Sequence, residues 1–216
     1  LDRQPSPEAM RAALAALENL LMEMDPEEAA AWIRELLASG QDLRTGLAFQ
    51  VGPGGSLRGA GTLQALLLDW LARIDPEEAG RLAQGALEQQ GTSLAPDVYV
   101  VHLRNYARHH PQPETAFLQQ HFADLLHEEP WLESPGSAVA EAMDVAVYTR
   151  DIKAVPRLAE LTQADRPAGL RHAASLALER LVDAEPRIAL NALLGDSPAD
   201  TPPNLRASLF ARLDPA

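Results

Sequence analysis

The pentapeptide DPEEA occurs twice in this chain, at residues 25–29 and again 50 residues later at 75–79. Each copy has the chemistry of a helix start. The Asp carboxylate can accept the orphan N–H groups of a first turn, Pro suits the first helical position, and two Glu oppose the positive end of the helix dipole. Each copy also follows directly on an apolar segment, LLMEM in the first case and WLARI in the second. Helix, tight turn, helix is therefore the repeated unit, and it directs the chain to folds that stack helices.

Weaker versions of the same punctuation continue downstream in YARHHPQPE at 106–114, YTRDIKAVP at 148–156, LERLVDAEP at 178–186 and the closing FARLDP. An arginine ends the first helix of each pair at Arg73, Arg108, Arg150, Arg180 and Arg212, with spacings of 35, 42, 30 and 32 residues. Such spacings suit stacked two-helix repeats. The first unit has Glu23 at this place, as an atypical end repeat would.

Apolar periodicity supports the helices. Leu63, Leu66, Leu67, Trp70, Leu71 and Ile74 form one broad stripe, as do Phe117, Leu118, Phe122, Leu125 and Leu126, and again Leu170, Ala174, Ala177, Leu178 and Leu181. VYVV at 98–101 is the best strand candidate, but it follows a Pro-Asp helix start and reads as the first turns of a helix. Predicted helices span 7–23, 26–39, 57–74, 76–90, 96–109, 113–127, 136–149, 151–163, 168–182, 185–194 and 203–213. No linker divides them, so the expectation is one domain over residues 1–216. Its fold class is all-α, a curved α-solenoid of about five to six antiparallel helix pairs, because a single pair cannot bury its apolar face alone.

The segment RPAGLRHAASLALERLVDAEPRIALNALLGD resembles a HEAT repeat. Pro167, Arg171, Ala174, Leu178 and Leu181 stand where that family tends to have its first-helix Pro, Arg, small residue and leucines. Asp183, Ile188, Leu190, Leu193, Leu194 and Asp196 look like the second helix and its end. The earlier units match in rhythm alone, and the tetratricopeptide pattern is missing. The resemblance implies a solenoid that holds other macromolecules on its concave face and carries no catalytic residues.

Composition narrows the function further. A net charge of −13 with a pI near 4.8 disfavours nucleic acid, whose binding needs clustered Lys and Arg. Lys153 is the only lysine, which reads as compositional bias of the source. The chain has no cysteine, which removes disulfides, thiolate nucleophiles and Cys-based zinc sites. No apolar run is long enough to span a membrane. The sequence begins LDRQPSPE rather than with Met, so it reads as a fragment of a longer chain. An upstream signal or anchor is one expectation, and periplasmic or membrane-tethered placement is favoured over cytoplasmic.

Catalytic patterns are weak. Paired carboxylates are too abundant to single any out, and neither GxSxG nor SxxK occurs. His102 and His109 lie seven apart on one helix face, and His121, His127, Glu128 and Glu129 cluster, but neither set has zinc-ligand spacing. The histidines read as solvated or capping, with no metal and no cofactor. The arginine ladder reads as helix-end chemistry, with an acidic peptide or phosphate as the functional alternative. Trp32 and Trp70 read as core, whereas Trp131, in EEPWLESPG, is a candidate exposed anchor for a partner.

One stretch stands apart. RTGLAFQVGPGGSLRGAGTLQ, residues 44–64, carries six glycines, and the predicted gap from Gly40 to Ser56 is about twice a usual repeat connection. It fails the P-loop pattern, since no Lys follows any glycine at the required place, and GxGxxG lacks a preceding strand. N–H groups at the start of the following helix, near Gly54, Gly55 and Ser56 with Arg58 beside them, could still hold a carboxylate or phosphate. The competing expectation is a self-packed loop, or a short extended segment, anchored by Leu47, Phe49 and Val51. The chain is thus expected to be a non-enzymatic module holding a protein partner. The alternative is a small-anion or catalytic site in the loop 52–61.

Overall fold

The structure is a computed structural model that describes residues 5–52, 55–133, 135–186, 207 and 210–211. It is mostly helical, and the DPEEA motifs cap helices as their chemistry requires. Asp25 Oδ1 accepts the N–H groups of Glu27 and Glu28 at 2.9 and 3.3 Å, and Asp75 Oδ1 accepts that of Glu78 at 3.0 Å. The predicted helices 185–194 and 203–213 fall largely or wholly outside the described residues, as does the second-helix half of the HEAT-like segment.

The chain divides into two compact units, residues 1–113 and 114–216. In the first, α1 (Pro7–Glu23), α2 (Pro26–Ala38), α3 (Leu63–Ile74), α4 (Pro76–Gln90) and α5 (Pro96–His109) pack each against the next, and α3 also packs on α5. VYVV lies inside α5. Helix α3 is buried almost all round, with Leu66, Leu67, Leu68, Trp70 and Leu71 at 3% exposure or less. It is the centre of this unit rather than a one-faced surface helix. Against α4, the chain comes so close that a Cβ on Gly80 would stand 2.4 Å from the His110 backbone nitrogen. Only glycine fits there.

Two strands interrupt the helices. β1 (Gln50–Val51) pairs antiparallel with β2 (Leu57–Gly59), with an irregularity in register between Gln50 and Val51. Helix α3 therefore starts at Leu63 and not at residue 57, because residues 57–59 are spent in the strand. Leu47 and Phe49 are buried as expected, but Val51 is 37% exposed and anchors nothing. Trp32 is corrected too. Ala29, Ala30 and Ile33 fill the inner face of α2, which leaves Trp32 at the edge and 38% exposed.

The second unit contains α6 (Thr115–Leu126), the short α7 (Glu129–Glu133), α8 (Ser137–Thr149), a 3-10 turn at 152–154, α9 (Val155–Glu160) and α10 (Ala168–Ala184). Here α6 packs on α8, and both α8 and α9 pack on α10. Leu118, Phe122, Leu125, Val139, Ala146, Leu158, Ala174, Leu178 and Leu181 form its core at 1% exposure or less. Helix α7 is a single turn that periodicity cannot reveal. Among the described residues, no helix is long and apolar enough to cross a membrane.

Candidate functional site

The glycine stretch is held by one carboxylate that the sequence pattern did not single out. Asp69 lies in the apolar run LLLDWL of α3 and is 3% exposed. Its Oδ2 accepts the Leu57 N–H of β2 at 3.1 Å, and its Oδ1 accepts from Arg104 Nη2 of α5. Arg104 Nη1 in turn donates to the Gly55 carbonyl at 2.7 Å. Hairpin, α3 and α5 are thereby locked through one buried ion pair. Such a charge is tolerated in the interior only when paired and hydrogen-bonded.

The base of the hairpin is stitched by Thr45, whose hydroxyl donates to the Ala60 carbonyl and accepts the Leu47 N–H at 3.1 Å. At its tip, the Gly52 N–H donates to the Ser56 carbonyl at 2.7 Å and the Gly55 N–H to the Gly52 carbonyl at 3.1 Å. Gly55 has φ +85°, a conformation that disfavours any side chain. Absent side chains also let two guanidinium groups lie on the turn. A Cβ on Gly52 would stand 2.7 Å from Arg58 Nε, and one on Gly55 would stand 2.4 Å from Arg108 Nη1.

Arg58 and Arg108 are both exposed, and among the described residues neither meets a carboxylate. The neighbouring electrostatics are positive. His109 is held below its ordinary pKa by burial and then by the nearby Arg108 and Arg104, against a smaller opposing pull from Asp69.

The structure brings Gly55, Ser56 and Arg58 into one hairpin, Arg58 in β2; Gly54 lies outside the described residues. Trp131 belongs to the other unit, half-buried in α7. The helix start after the glycines holds no open N–H group for an anion. The N–H of Leu63 donates to the Leu43 carbonyl at 2.9 Å, that of Gln64 to Asp42 Oδ1 at 3.0 Å, and that of Ala65 to Thr62 Oγ1 at 3.3 Å. The exposed cations beside the turn are instead Arg58 of β2 and Arg108 of α5.

The remaining ladder arginines are spent on carboxylates. Arg73 pairs with Glu18 of α1, Arg150 with Glu185 at 3.0 Å, and Arg180 with Asp144 of α8 at 2.6 Å. Arg212 lies outside the described residues. The histidine reading needs one correction: His102 is neither solvated nor capping. It is 3% exposed, and burial holds its pKa down at about 4, so it is neutral at pH 7. Among the described residues, no group of three or more His, Asp or Glu is arranged to hold a metal ion.

The missed residues left two faint signals: a lone acid in an otherwise apolar run, and an arginine in the middle of α5 rather than near its end. Neither reveals its partner, because Asp69 and Arg104 are 35 residues apart. Neither a known protein family, nor a curated protein, nor a solved structure matches this chain.

Proposed function

We propose that this chain is a HEAT-like helical-repeat module, a curved stack of antiparallel helix pairs. In this reading it holds a protein partner and does no chemistry of its own. Two features support the repeat reading. Each helix from α1 to α5 packs on the next in sequence, and contacts skip one helix in α3 on α5, α6 on α8 and α8 on α10. That is the neighbour pattern of stacked repeats. In α10, Pro167 precedes the first turn, Arg171 Nη1 donates to the Ala164 and Arg166 carbonyls, and Ala174, Leu178 and Leu181 are fully buried.

The contact we assign is the hairpin tip, and the observation that carries it is the pair of exposed cations Arg58 and Arg108, which meet no carboxylate among the described residues. In a chain of net charge −13, two exposed guanidinium groups beside Gly52 and Gly55 form a local positive spot. Such a spot steers and orients an acidic segment of a partner, and arginine forks suit carboxylates. Arg104, neutralised by Asp69, positions the turn and does not itself bind.

The test is fluorescence anisotropy of a labelled oligoglutamate peptide titrated with the full chain. Replacing Arg58 and Arg108 together by Ala should weaken binding about tenfold or more, and raising salt from about 50 to 200 mM should weaken the parent complex. Arg81→Ala, whose guanidinium already meets Glu77 and Glu78, should change nothing. Equal binding by the double variant would sink the assignment. Binding of inorganic phosphate at the same arginines without binding of the peptide would instead make the turn a small-anion site.

A further inference from the structure

The second unit contains an open cavity of about 330 Å³ lined by residues of α6, α9 and the 3-10 turn between α8 and α9. Its lining is unusual for this chain. Asp151, a residue only 4% exposed, lines it, and among the described residues no side-chain cation forms an ion pair with its carboxylate. Lys153, the chain's only lysine, is exposed and lines the same cavity, with no ion pair among the described residues, and His127 at the C-terminal end of α6 lines it too. Gln119 adds an amide whose Nε2 donates to the Thr149 carbonyl at 3.3 Å. Arg157 also lines the space, but its guanidinium is taken by Leu126, Glu129 and Glu160.

Asp151 has a structural duty, since its Oδ1 accepts the Lys153 N–H at 3.2 Å and caps the 3-10 turn. Capping does not offset the cost of its burial: the carboxyl remains above the usual range, driven up by desolvation against the backbone N–H groups and the lysine. A buried acid of this kind is stabilised by a cation that enters the cavity. An exposed lysine beside it is complemented by an anion. Both charges are offered within one small concave space, which is how polar groups fix the orientation of a small ligand.

We infer that this cavity binds a small zwitterion of the α-amino acid class, with its ammonium group on Asp151 and its carboxylate on Lys153 and His127. The site belongs to the second unit alone and does not depend on the function proposed for the hairpin tip. The experiment is isothermal titration of the full chain with the standard L-amino acids, alongside propionate and ethylamine, each of which keeps one of alanine's two charges. At least one amino acid should bind, with Asp151→Asn and Lys153→Met each weakening it about tenfold or more. The matching single-charge analogues should bind at least about tenfold more weakly.

Lys153→Met removes an exposed group that makes no side-chain bond among the described residues, so it keeps the test valid if the Asp151 variant fails to fold. No binding by any amino acid up to about 10 mM overturns the inference. So does affinity that Lys153→Met leaves unchanged, or propionate or ethylamine binding as tightly as the amino acid.

Discussion

The two units treat a buried carboxylate in opposite ways. In the first, Asp69 sits deep in the helix core and is satisfied twice, by the Leu57 N–H and by Arg104. In the second, Asp151 is as buried but takes backbone N–H groups and, among the described residues, pairs with no side-chain cation, and burial raises its pKa. The difference shows what a cap does. It orients a carboxylate and shares out some of its charge, but it does not replace the counterion that an interior charge demands.

The largest expected effect breaks the paired case. Arg104→Ala strips the buried Asp69 carboxyl of its partner inside the first unit, and should cost about 3–5 kcal/mol, read as a drop in urea midpoint with unchanged slope. Asp151→Asn, by contrast, removes a charge that already lacks a partner while keeping a side-chain acceptor for the Lys153 N–H, and should shift stability by less than about 1 kcal/mol. Comparable losses in both variants would erase the distinction.

Next in size is a pH effect of opposite sign in the two units. His102 has a folded pKa of about 4, below its ordinary 6.5, so the unfolded chain takes up the proton first. Its contribution is intact above about pH 6.5 and drains as pH falls toward 4, for a loss of about 3 kcal/mol. Asp151 is raised, so its folded form binds a proton more tightly and gains stability as pH falls through that raised value toward the ordinary carboxylate range. Urea unfolding followed by tryptophan fluorescence between pH 7 and pH 4 checks this. The His102→Leu variant should lack the parent's acid loss, and Trp70 reports on that unit directly.

The smallest effect belongs to the exposed ion pairs of the second unit. Arg180→Ala breaks a pair with Asp144 in which both side chains are more than half exposed, and should cost under about 1 kcal/mol in thermal or urea unfolding. A loss as large as that of Arg104→Ala would mean that exposure is a poor guide to how this protein uses its arginines.

Local chemistry explains what was legible in the sequence. Asp25 and Asp75 announce their helices because a cap is made within three residues, and the stripes of α6 and α10 announce themselves because periodicity is a property of one segment. An extended segment at 47–51 is one open expectation, but its pairing with β2 escaped because residues 57–59 are too few for alternation to show. Trp32 escaped because which flank of α2 stays open depends on neighbouring helices. Asp69 and Arg104 escaped for a stronger reason: their pairing is made by the packing of α3 on α5, which no single stretch encodes.

That long-range pairing also sets an order of events. A chain emerging from its N-terminus carries the hairpin strands and Asp69 well before Arg104, 35 residues later, is available to neutralise the acid. Until α5 arrives, the carboxylate must stay hydrated, and α3 cannot close over it without leaving an unpaired charge inside. The turn at Gly55, whose carbonyl accepts from the same guanidinium, therefore lacks that contact until α5 is in place.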